Sequence, residues 1–423
     1  MTLADDLAGV NLPKIAQPYL LVLFSVPFYI DDAGRRWIEA LWAKDLEEHA
    51  RYISRLTLAA PAIYGSPPPS ACPMDELDSL RTVRCVDLPV LAGVWDAPRW
   101  LSRTCAILWR EIGRTHLVHS AVAGWPIPEA WLLVPMLSVR RRWLYINVES
   151  AFWRLVPGEK VPLRRRLQAS VSEFLNKRCL ARSDVATFTH RGYRDSLLGK
   201  EAHRGHVVEA SWIDERHLLD DELASQVIRR RNEDRSPFRI VFVGRLSHAK
   251  GVSVLLEAVE ALIEAGVDVR LDLFGQGPLQ AEFEARSCGP ALSSRVTLRG
   301  VLPYGDEFFA ALRNYHVLVV PTLSDEQPRV VYDAYSQGLP VIASRTDGLS
   351  ECIEHGVTGL LCEPGNADSL RQQIERVFAE PALLVAMSRA CLSRARRTTH
   401  QHIHRRRWRL LLETIPSLAT DGG

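Results

Sequence analysis

Two basic side chains flank a glycine-containing loop in the second half of the chain, within the stretch Phe242 to Gly251. Arg245 follows the loop glycine Gly244, and Lys250 comes just before the position at which a helix is expected to begin. A diphosphate binds to cations and to backbone amides at a helix N-terminus, and this arrangement offers both. The same residues can also be two solvated cations at a turn, so this loop needs support from its neighbours.

A run of carboxylates and amides lies further along the chain. Pro328 suits the first turn of a helix. Asp325 and Glu326 lie in the loop just before it, and Asp333 lies one to two turns inside the expected helix. Carboxylates accept hydrogen bonds from sugar hydroxyls, and Gln327 adds an amide. The alternative is that Asp325 only caps the helix and that Asp333 is solvated.

Two glycine motifs accompany these polar residues. Gly275 and Gly277 follow a predicted strand, where the backbone of a glycine can approach a ligand closely. The motif is not a complete G-x-G-x-x-G and lacks the acidic residue about 20 positions on that holds an NAD ribose, which argues against a dehydrogenase. The stretches Thr346 to Glu351 and Gly356 to Gly359 either extend the same cleft or form a plain loop.

Short apolar strands alternate with helices between Phe238 and Phe378, a pattern typical of a parallel sheet. The predicted elements are the strands Ile240–Val243, Val267–Phe274, Arg295–Arg299, Val317–Val320 and Val341–Ser344 and the helices Lys250–Ala265, Asp306–Arg313 and Arg329–Gln337. Ligands of such sheets bind at the carboxyl ends of the strands, where all the motifs above fall.

The first half of the chain predicts a second α/β domain. Its apolar segment Tyr19–Ile30 is too short to cross a bilayer and is interpreted as a buried first strand. The other predicted elements are the strands Leu117–Ser120, Trp143–Asn147 and Val185–Thr189 and the helices Arg35–Leu56 and Leu163–Leu180. The charged segment Arg229–Pro237 is predicted to be the linker between the two halves.

Composition excludes several classes of protein. The 423 residues carry a net charge of +2, which gives no global indication of nucleic-acid binding. Eight scattered cysteines, with no C-x-x-C motif and no histidine at ligand spacing from them, argue against a disulfide framework or a zinc site and favour a reducing cytosol. No stretch of about 18 uninterrupted apolar residues is present, so the chain is expected not to cross a membrane.

Together, the four motifs of the second half resemble the C-terminal domain of family 4 glycosyltransferases, the "glycosyltransferase group 1" proteins, over about 140 residues in order and spacing. The resemblance implies an α/β fold of the GT-B type, with two Rossmann-like doubly wound domains facing a central cleft. It divides the chain into an acceptor-binding domain (residues 1–228), a donor-binding domain (229–397) and a C-terminal helix (398–423) that returns to the first domain, with Trp408 as an anchor.

The resemblance also implies roles for particular residues. The family's Glu-x7-Glu motif aligns with Asp325 and Asp333, each one methylene shorter than Glu, and Glu326 is an alternative first sugar contact. The expected donor-binding residues are Gly244, Arg245, Lys250, Gly275, Gly277, Asp325, Glu326, Gln327, Pro328, Arg329, Val330 and Asp333. The expected catalytic residues are His119, Arg245, Lys250 and Asp325, and Glu149 is the expected acceptor contact.

The implied activity is transfer of a hexose-type sugar from a nucleotide-sugar, such as a UDP- or GDP-sugar, with retention of configuration. No Asp-x-Asp motif occurs, so no metal and no cofactor are expected. The expected acceptor is a saccharide, lipid-linked in bacterial surface polysaccharide or glycolipid synthesis. A nucleotide-sugar epimerase and a non-catalytic nucleotide-sugar-binding relative remain alternatives.

Three basic clusters suggest where such an enzyme would work. They are Arg140–Arg142, Arg164–Arg166 and the run Arg394–Arg409, which contains Trp408. A basic stretch with Trp and Leu can lie on an anionic membrane, although solvated helix faces have the same composition. We therefore expect a cytoplasmic protein with peripheral contact to the inner face of the plasma membrane and with no nucleic-acid partner.

Overall fold

Two sheets organise the chain: the first is mostly parallel with an antiparallel edge, and the second is fully parallel. The computed structural model describes residues 12–419 except 125, 157, 159, 160, 288, 290 and 291. For residues 94 and 287 it describes the backbone but not the side chain. The outer limits of the predicted domains, residues 1 and 423, lie outside the described residues. The domain boundaries drawn from the sequence stay predictions, whereas the GT-B architecture is confirmed.

The first sheet has ten strands, in the spatial order β10-β9-β8-β7-β1-β4-β2-β3-β5 with β6 also paired to β4. They are β1 (Tyr19–Val22), β2 (Phe28–Ile30), β3 (Arg36–Glu39), β4 (Leu56–Tyr64), β5 (Ala71–Pro73), β6 (Arg84–Leu88), β7 (Leu117–Ala121), β8 (Trp143–Val148), β9 (Val185–Phe188) and β10 (Gly205–Val207). Strands β1 and β7 are parallel neighbours at the point where the strand order reverses.

The second sheet has six parallel strands in the order β13-β12-β11-β14-β15-β16. They are β11 (Phe238–Val243), β12 (Val269–Phe274), β13 (Val296–Gly300), β14 (Val317–Val320), β15 (Val341–Ser344) and β16 (Gly359–Cys362). This is the 3-2-1-4-5-6 order of a doubly wound sheet, whose switch point lies between β11 and β14. Apolar side chains such as Val317, Leu318 and Val319 are fully buried because helices cover both faces.

Helices cover both sheets. They are α1 (Ala40–Tyr52), α2 (Ala97–Ile112), α3 (Glu129–Arg140), α4 (Leu163–Leu180), α5 (Arg191–Leu198), α6 (Asp221–Glu233), α7 (Val252–Glu264), α8 (Gln280–Ser287), α9 (Asp306–Leu312), α10 (Val330–Ser336), α11 (Asp347–Cys352), α12 (Ala367–Ala379), α13 (Pro381–Arg396) and α14 (His400–Thr414). Among the described residues, none of the helices combines the length and the apolar character that crossing a bilayer requires.

The last helix packs on the first sheet, as the GT-B fold requires. Trp408 and Leu411 of α14 belong to the apolar cluster that contains Tyr19 of β1. The ring of Trp408 stacks on Tyr52 of α1, with 4.3 Å between centroids. The chain after α14 is held as well, because the amide of Ala16 donates to the carbonyl of Leu418 at 2.9 Å.

Three sequence-based elements were wrong in detail. The segment Tyr19–Ile30 forms two strands rather than one, β1 and β2. The predicted helix Arg35–Leu56 begins with strand β3, which pairs antiparallel with β2 through Trp37 and Tyr29 before α1 starts at Ala40. The first part of the predicted linker Arg229–Pro237 is helical, since α6 continues to Glu233.

Candidate functional site

A cleft of about 350 Å³ opens at the carboxyl edge of the second sheet, beside β11 and β14. Chains leave these two strands toward opposite faces of the sheet, which creates a crevice between their loops. Nine residues singled out in the sequence line it: Glu149, Gly244, Arg245, Lys250, Glu326, Gln327, Pro328, Arg329 and Val330. Glu149 comes from the loop after β8, so the cleft lies between the two sheets.

The two cations of this cleft differ in their surroundings. Lys250 forms an ion pair with Glu326 Oε1, and the hydroxyl of Ser324 donates to the same oxygen at 2.9 Å. The side chains of Lys250 and Glu326 are 26% and 33% exposed, so solvent screens the pair and it contributes little to stability. Lys250 can therefore exchange this partner for a phosphate oxygen. Arg245 is exposed at the cleft, where its guanidinium can bind an anion with two hydrogen bonds.

Asp325 faces a different element from Glu326. Its Oδ1 accepts a hydrogen bond from the amide of Gly348, near the start of α11, at 3.2 Å. Burial raises the pKa of Asp325, and the nearby Asp347 adds to this effect. Asp325 is not among the residues that line the cleft, whereas Glu326 is. Of the two carboxylates at this position, the structure brings Glu326 beside Lys250.

Asp333 is buried within α10 and also lies off the cleft wall. The hydroxyl of Tyr304 donates to its Oδ1 at 3.0 Å. Burial raises the pKa of Asp333 to about 7, an effect that exceeds the opposing influence of the Tyr304 hydrogen bond and of Arg329. The second carboxylate of the motif is therefore only partly ionised at neutral pH in this state of the protein.

The two glycines after β12 allow two loops to touch. A Cβ on Gly275, whose φ is +139°, would lie 1.9 Å from the carbonyl oxygen of Gly244. A Cβ on Gly277 would lie 2.2 Å from the carbonyl oxygen of Leu246. Neither Gly275 nor Gly277 lines the cleft, so close packing of backbone on backbone accounts for both. Their assignment to donor binding stays a prediction.

Gln327 joins the two halves of the molecule. Its side-chain amide donates to the carbonyl of Thr189 at 3.1 Å, and its Oε1 accepts from the amide of Ala210 at 3.1 Å. The ring of His190 lies 3.1 Å from the carbonyl oxygen of Asp325 in the same loop. These buried contacts fix the position of the loop before α10 relative to the first sheet.

A second cavity, of about 240 Å³, lies on the first-sheet side of the cleft, at the ends of β1 and β7. We call it the acceptor-side cavity, and Glu149, Ser150 and Arg329 line both it and the cleft. The guanidinium of Arg329 sits over the ring of Trp212, 4.6 Å from the centroid. Glu149, the acceptor contact expected from the sequence, lies between the two spaces, and its role stays a prediction.

His119 lies in the acceptor-side cavity and not in the cleft. Its ring stacks on Tyr145 at 4.3 Å and meets Tyr19 edge-on at 6.0 Å. Burial holds the pKa of His119 well below its usual value, and the charge of His49 adds to this effect. The imidazole is therefore neutral at physiological pH, and its Nδ1 has no hydrogen-bond partner among the described atoms.

Sequence reasoning missed several residues of these cavities. Arg407 of α14 lines the acceptor-side cavity and contacts Glu149. Glu129 lines it too: burial raises the pKa of this carboxyl to about 7, and its Oε1 accepts from the amide of Phe24 at 2.7 Å. Asp45 and His49 are further lining residues. Their i, i+4 spacing on α1 was the available signal.

A third space, a groove of about 610 Å³, runs between the start of α3 and α4. Phe152 lines both this groove and the acceptor-side cavity. Trp131, Trp153, Leu167 and Val171 make much of its wall apolar.

Two doubly wound sheets that face each other across a cleft, with the last helix returned to the first sheet, define the GT-B fold. Solved GT-B structures superpose along nearly the whole chain. Anabaena HepE in complex with UDP matches with a TM-score of 0.66 and 16% identity, covering 95% of this chain and 100% of HepE. The lipopolysaccharide outer core galactosyltransferase WaaB matches with a TM-score of 0.60 and 12% identity, covering 95% and 98%.

Residues 237–380, about a third of the chain, match the family model described as "Glycosyl transferases group 1", which confirms the resemblance over that region. Among its relatives, 2-deoxystreptamine glucosyltransferase of Streptomyces kanamyceticus is 34% identical over 36% of this chain and 39% of its own length. Alpha-D-kanosaminyltransferase of the same organism is 25% identical over 70% and 77%. Amylovoran biosynthesis glycosyltransferase AmsK of Erwinia amylovora is 29% identical over 42% and 45%. The match thus spans less than half of the length of 2-deoxystreptamine glucosyltransferase and of AmsK.

Proposed function

We propose that this chain transfers a hexose-type sugar from a nucleotide-sugar to a saccharide acceptor, with retention of configuration. The observation that carries the proposal is the cleft between the sheets, where Arg245 and Lys250 stand beside the helix α7 and Glu149 faces them from the first sheet. The likeness to HepE, a protein solved with UDP, supports a nucleotide-sugar donor. No metal ion and no cofactor are assigned to the transfer itself.

In this proposal the second sheet holds the donor. Arg245 and Lys250 bind the diphosphate and stabilise its charge as the bond to the sugar breaks. Glu326, which lines the cleft, takes the sugar contact that the resemblance assigned to Asp325. Asp325 and Asp333 then lie behind the cleft wall and do not touch the sugar. Preorganised charge of this kind stabilises the transition state by on the order of 3 kcal/mol per group.

The acceptor belongs to the first-sheet side. Glu149 stands between the cleft and the acceptor-side cavity, where its carboxylate can accept a hydrogen bond from the attacking hydroxyl. Neutral His119 lines the same cavity and is assigned to the acceptor side of the site. The names of AmsK and WaaB, from amylovoran and lipopolysaccharide synthesis, support a surface polysaccharide or glycolipid as the product.

A lipid-linked acceptor fits the groove beside α4. The groove shares Phe152 with the acceptor-side cavity, and Leu167 and Val171 line it on the exposed face of α4. That face exposes a stripe of four apolar side chains at helical spacing: Leu163, Leu167, Val171 and Phe174. Arg164 and Arg166 are exposed beside it, so the face combines apolar and cationic groups as a membrane-surface helix does.

The other large basic run is less suited to a membrane. Arg406 and Arg394 pair with Glu209, at 2.8 and 3.2 Å. Arg407 and Trp408 are buried against the first sheet. We therefore assign the contact with an anionic membrane to α4 rather than to α14.

The donor assignment is tested by thermal unfolding of the purified full chain with UDP, GDP, ADP and their hexose derivatives, without added metal. A ligand present at about 100 Kd adds about 2.7 kcal/mol to the stability of the protein. We expect stabilisation by one nucleotide family and donor consumption that depends on an added saccharide. Consumption without acceptor would favour the epimerase-like alternative, and stabilisation without consumption would favour a binding protein.

Flotation with phosphatidylglycerol vesicles tests the membrane assignment. We expect the wild-type chain to float, and Leu163→Ser/Leu167→Ser and Arg164→Glu/Arg166→Glu variants to stay in the dense fraction. Arg229→Glu/Arg230→Glu changes the same charge at exposed positions of α6 and should float normally. Wild-type protein that fails to float, or equal loss in the control, contradicts the assignment.

A further inference from the structure

Four polar side chains from opposite ends of the chain meet between α1 and α14. Asp45 and His49 lie one turn apart on α1, and His400 and His404 lie one turn apart on α14. We call them the Asp-His cluster. His400 and His404 are 2% and 4% exposed, and His49 is 9% exposed, so the group is enclosed.

Three atoms of the cluster converge on one point. His404 Nε2 lies 2.9 Å from Asp45 Oδ1, and His400 Nε2 lies 3.2 Å from the same oxygen. The two ring nitrogens are 3.2 Å from each other. A tetrahedral zinc ion with bonds of about 2.0–2.1 Å separates its ligand atoms by about 3.3 Å, close to all three of these distances.

Hydrogen bonding alone does not satisfy this triangle. Each imidazole nitrogen is either a donor or an acceptor, and a carboxylate oxygen is an acceptor. If His400 and His404 both donate to Asp45, the third contact joins two donors. If one of them accepts from the other, its lone pair faces the carboxylate. A cation at the centre uses a lone pair from every atom and makes all three contacts favourable.

His49 completes the set. One of its ring nitrogens lies within 4.8 Å of the ligand atoms of both Asp45 and His404. Its Nδ1 is also 2.9 Å from the carbonyl oxygen of Asp45, a contact of the kind that orients metal-bound histidines. Asp45 and His49 line the acceptor-side cavity, which gives an ion a path of entry.

We propose that Asp45, His400 and His404, with His49 as the fourth ligand, bind one divalent transition-metal ion at the junction of α1 and α14. Three imidazoles and one carboxylate in a tetrahedral arrangement select zinc rather than magnesium or calcium. The ion fastens the C-terminal helix to the first domain. It lies outside the donor cleft, and its proposal does not depend on the proposed function.

Calorimetric titration of the chelator-treated full chain with Zn²⁺ tests the site. We expect one ion per chain and a higher unfolding temperature with zinc. His404→Ala should bind at least about 100-fold more weakly, beyond the roughly 10–100-fold that loss of an outer-shell partner causes. His402→Ala is the matched control, because it lies on the same helix outside the cluster and should bind as the wild type does.

Substitution with Co²⁺ gives a readout that needs no variant. A four-coordinate site with imidazole and carboxylate ligands gives Co²⁺ intense visible absorption, which added Zn²⁺ then removes. Asp45→Asn keeps the side-chain shape. It replaces His404→Ala as the test variant if circular dichroism shows that His404→Ala does not fold. The proposal is overturned if the wild type takes up no stoichiometric Zn²⁺ or Co²⁺, or if folded Asp45→Asn or His404→Ala binds as tightly as His402→Ala.

Discussion

Arg407 Nη2 of the C-terminal helix lies 3.2 Å from Glu149 Oε1, the carboxylate that stands between the donor cleft and the acceptor-side cavity. Arg407 is buried, and Asn147 donates to the same Glu149 oxygen at 3.0 Å. The helix that returns from the second domain therefore holds a residue of the cleft in place. This relationship connects the GT-B crossover to the geometry of the proposed acceptor site.

A double-mutant cycle measures this connection. We expect Glu149→Gln and Arg407→Met to be coupled by about 1 kcal/mol in the free energy of urea unfolding, since each variant removes one partner of a partly buried pair. The control cycle combines Arg407→Met with Glu222→Gln, which lies at an exposed position of α6 and shares no partner with Arg407. In that cycle the two changes in the free energy of unfolding should add within about 0.5 kcal/mol. Additivity in the first cycle would show that the contact does not hold Glu149.

The cleft cations give the second prediction. Arg245→Ala and Lys250→Ala should each lower donor turnover by about 100-fold, because in the proposed transfer each removes a charge that stabilises the departing diphosphate. Their unfolding temperatures should stay near that of the wild type, since both side chains contact solvent. Arg270→Ala removes an exposed cation of β12 and should turn over normally. Near wild-type turnover in either cleft variant contradicts the phosphate assignment.

The second sheet could be predicted from the sequence in nearly all its elements. Fully buried parallel strands such as Val317–Val320 are uninterrupted apolar runs, and they alternate with amphipathic helices that end at glycine or proline. The first sheet lacks this regularity. Its short strand Arg36–Glu39 is only partly buried, and its sequence continues into α1 without a turn signal, so a single helix was the simpler interpretation.

Parts of the site depend on contacts that the sequence does not display. Asp325 and Glu326 are neighbours with the same chemistry, but Asp325 accepts from the amide of Gly348, whereas Glu326 pairs with Lys250. Asp45 and His400 are 355 positions apart, and only the return of α14 brings them together. Residue type and local spacing identify candidate groups, whereas the packing of distant elements decides their partners.

Asp333 gives a pH-dependent prediction. Its pKa is about 7 in the folded protein, above the ordinary value of 3.8, because the carboxyl is buried. Between these two pKa values, the folded state holds a proton that the unfolded state has lost. The contribution of Asp333 to the free energy of unfolding therefore falls as the pH rises from about 4 to about 7. Asp333→Asn removes this dependence. Relative to the wild type, the free energy of unfolding of Asp333→Asn should increase by on the order of 2 kcal/mol between pH 5 and pH 8.

Glu129 provides the comparison for that experiment, because burial also raises its pKa to about 7. Glu129→Gln should remove a slope of the same sign, and the Asp333→Asn/Glu129→Gln variant should remove both. Exposed Asp221→Asn should leave the pH profile unchanged. Parallel profiles for wild type and Asp333→Asn would mean that Asp333 is ionised throughout this range.

The stacking of Trp408 on Tyr52 predicts how firmly the last helix is held. Trp408→Ala removes a large buried side chain and should lower the free energy of unfolding by about 3–5 kcal/mol. Trp408→Phe should cost much less, since the indole nitrogen has no hydrogen-bond partner among the described atoms and the phenyl ring keeps the stack. Equal losses in the two variants would contradict a role based on ring packing. Both are measured by urea denaturation.

Arg231 explains why the charged segment before β11 is not a flexible linker. Its buried guanidinium donates to the carbonyl of Tyr315 at 2.8 Å, to that of Gln337 at 3.3 Å, and to that of Gly338. Arg231→Met leaves these carbonyls unsatisfied and should destabilise the protein by about 3 kcal/mol or more in urea denaturation. Arg230→Met, at the exposed position one residue earlier, should change stability by less than about 0.5 kcal/mol. Similar values for the two variants would mean that α6 is attached to the second sheet by apolar contacts alone.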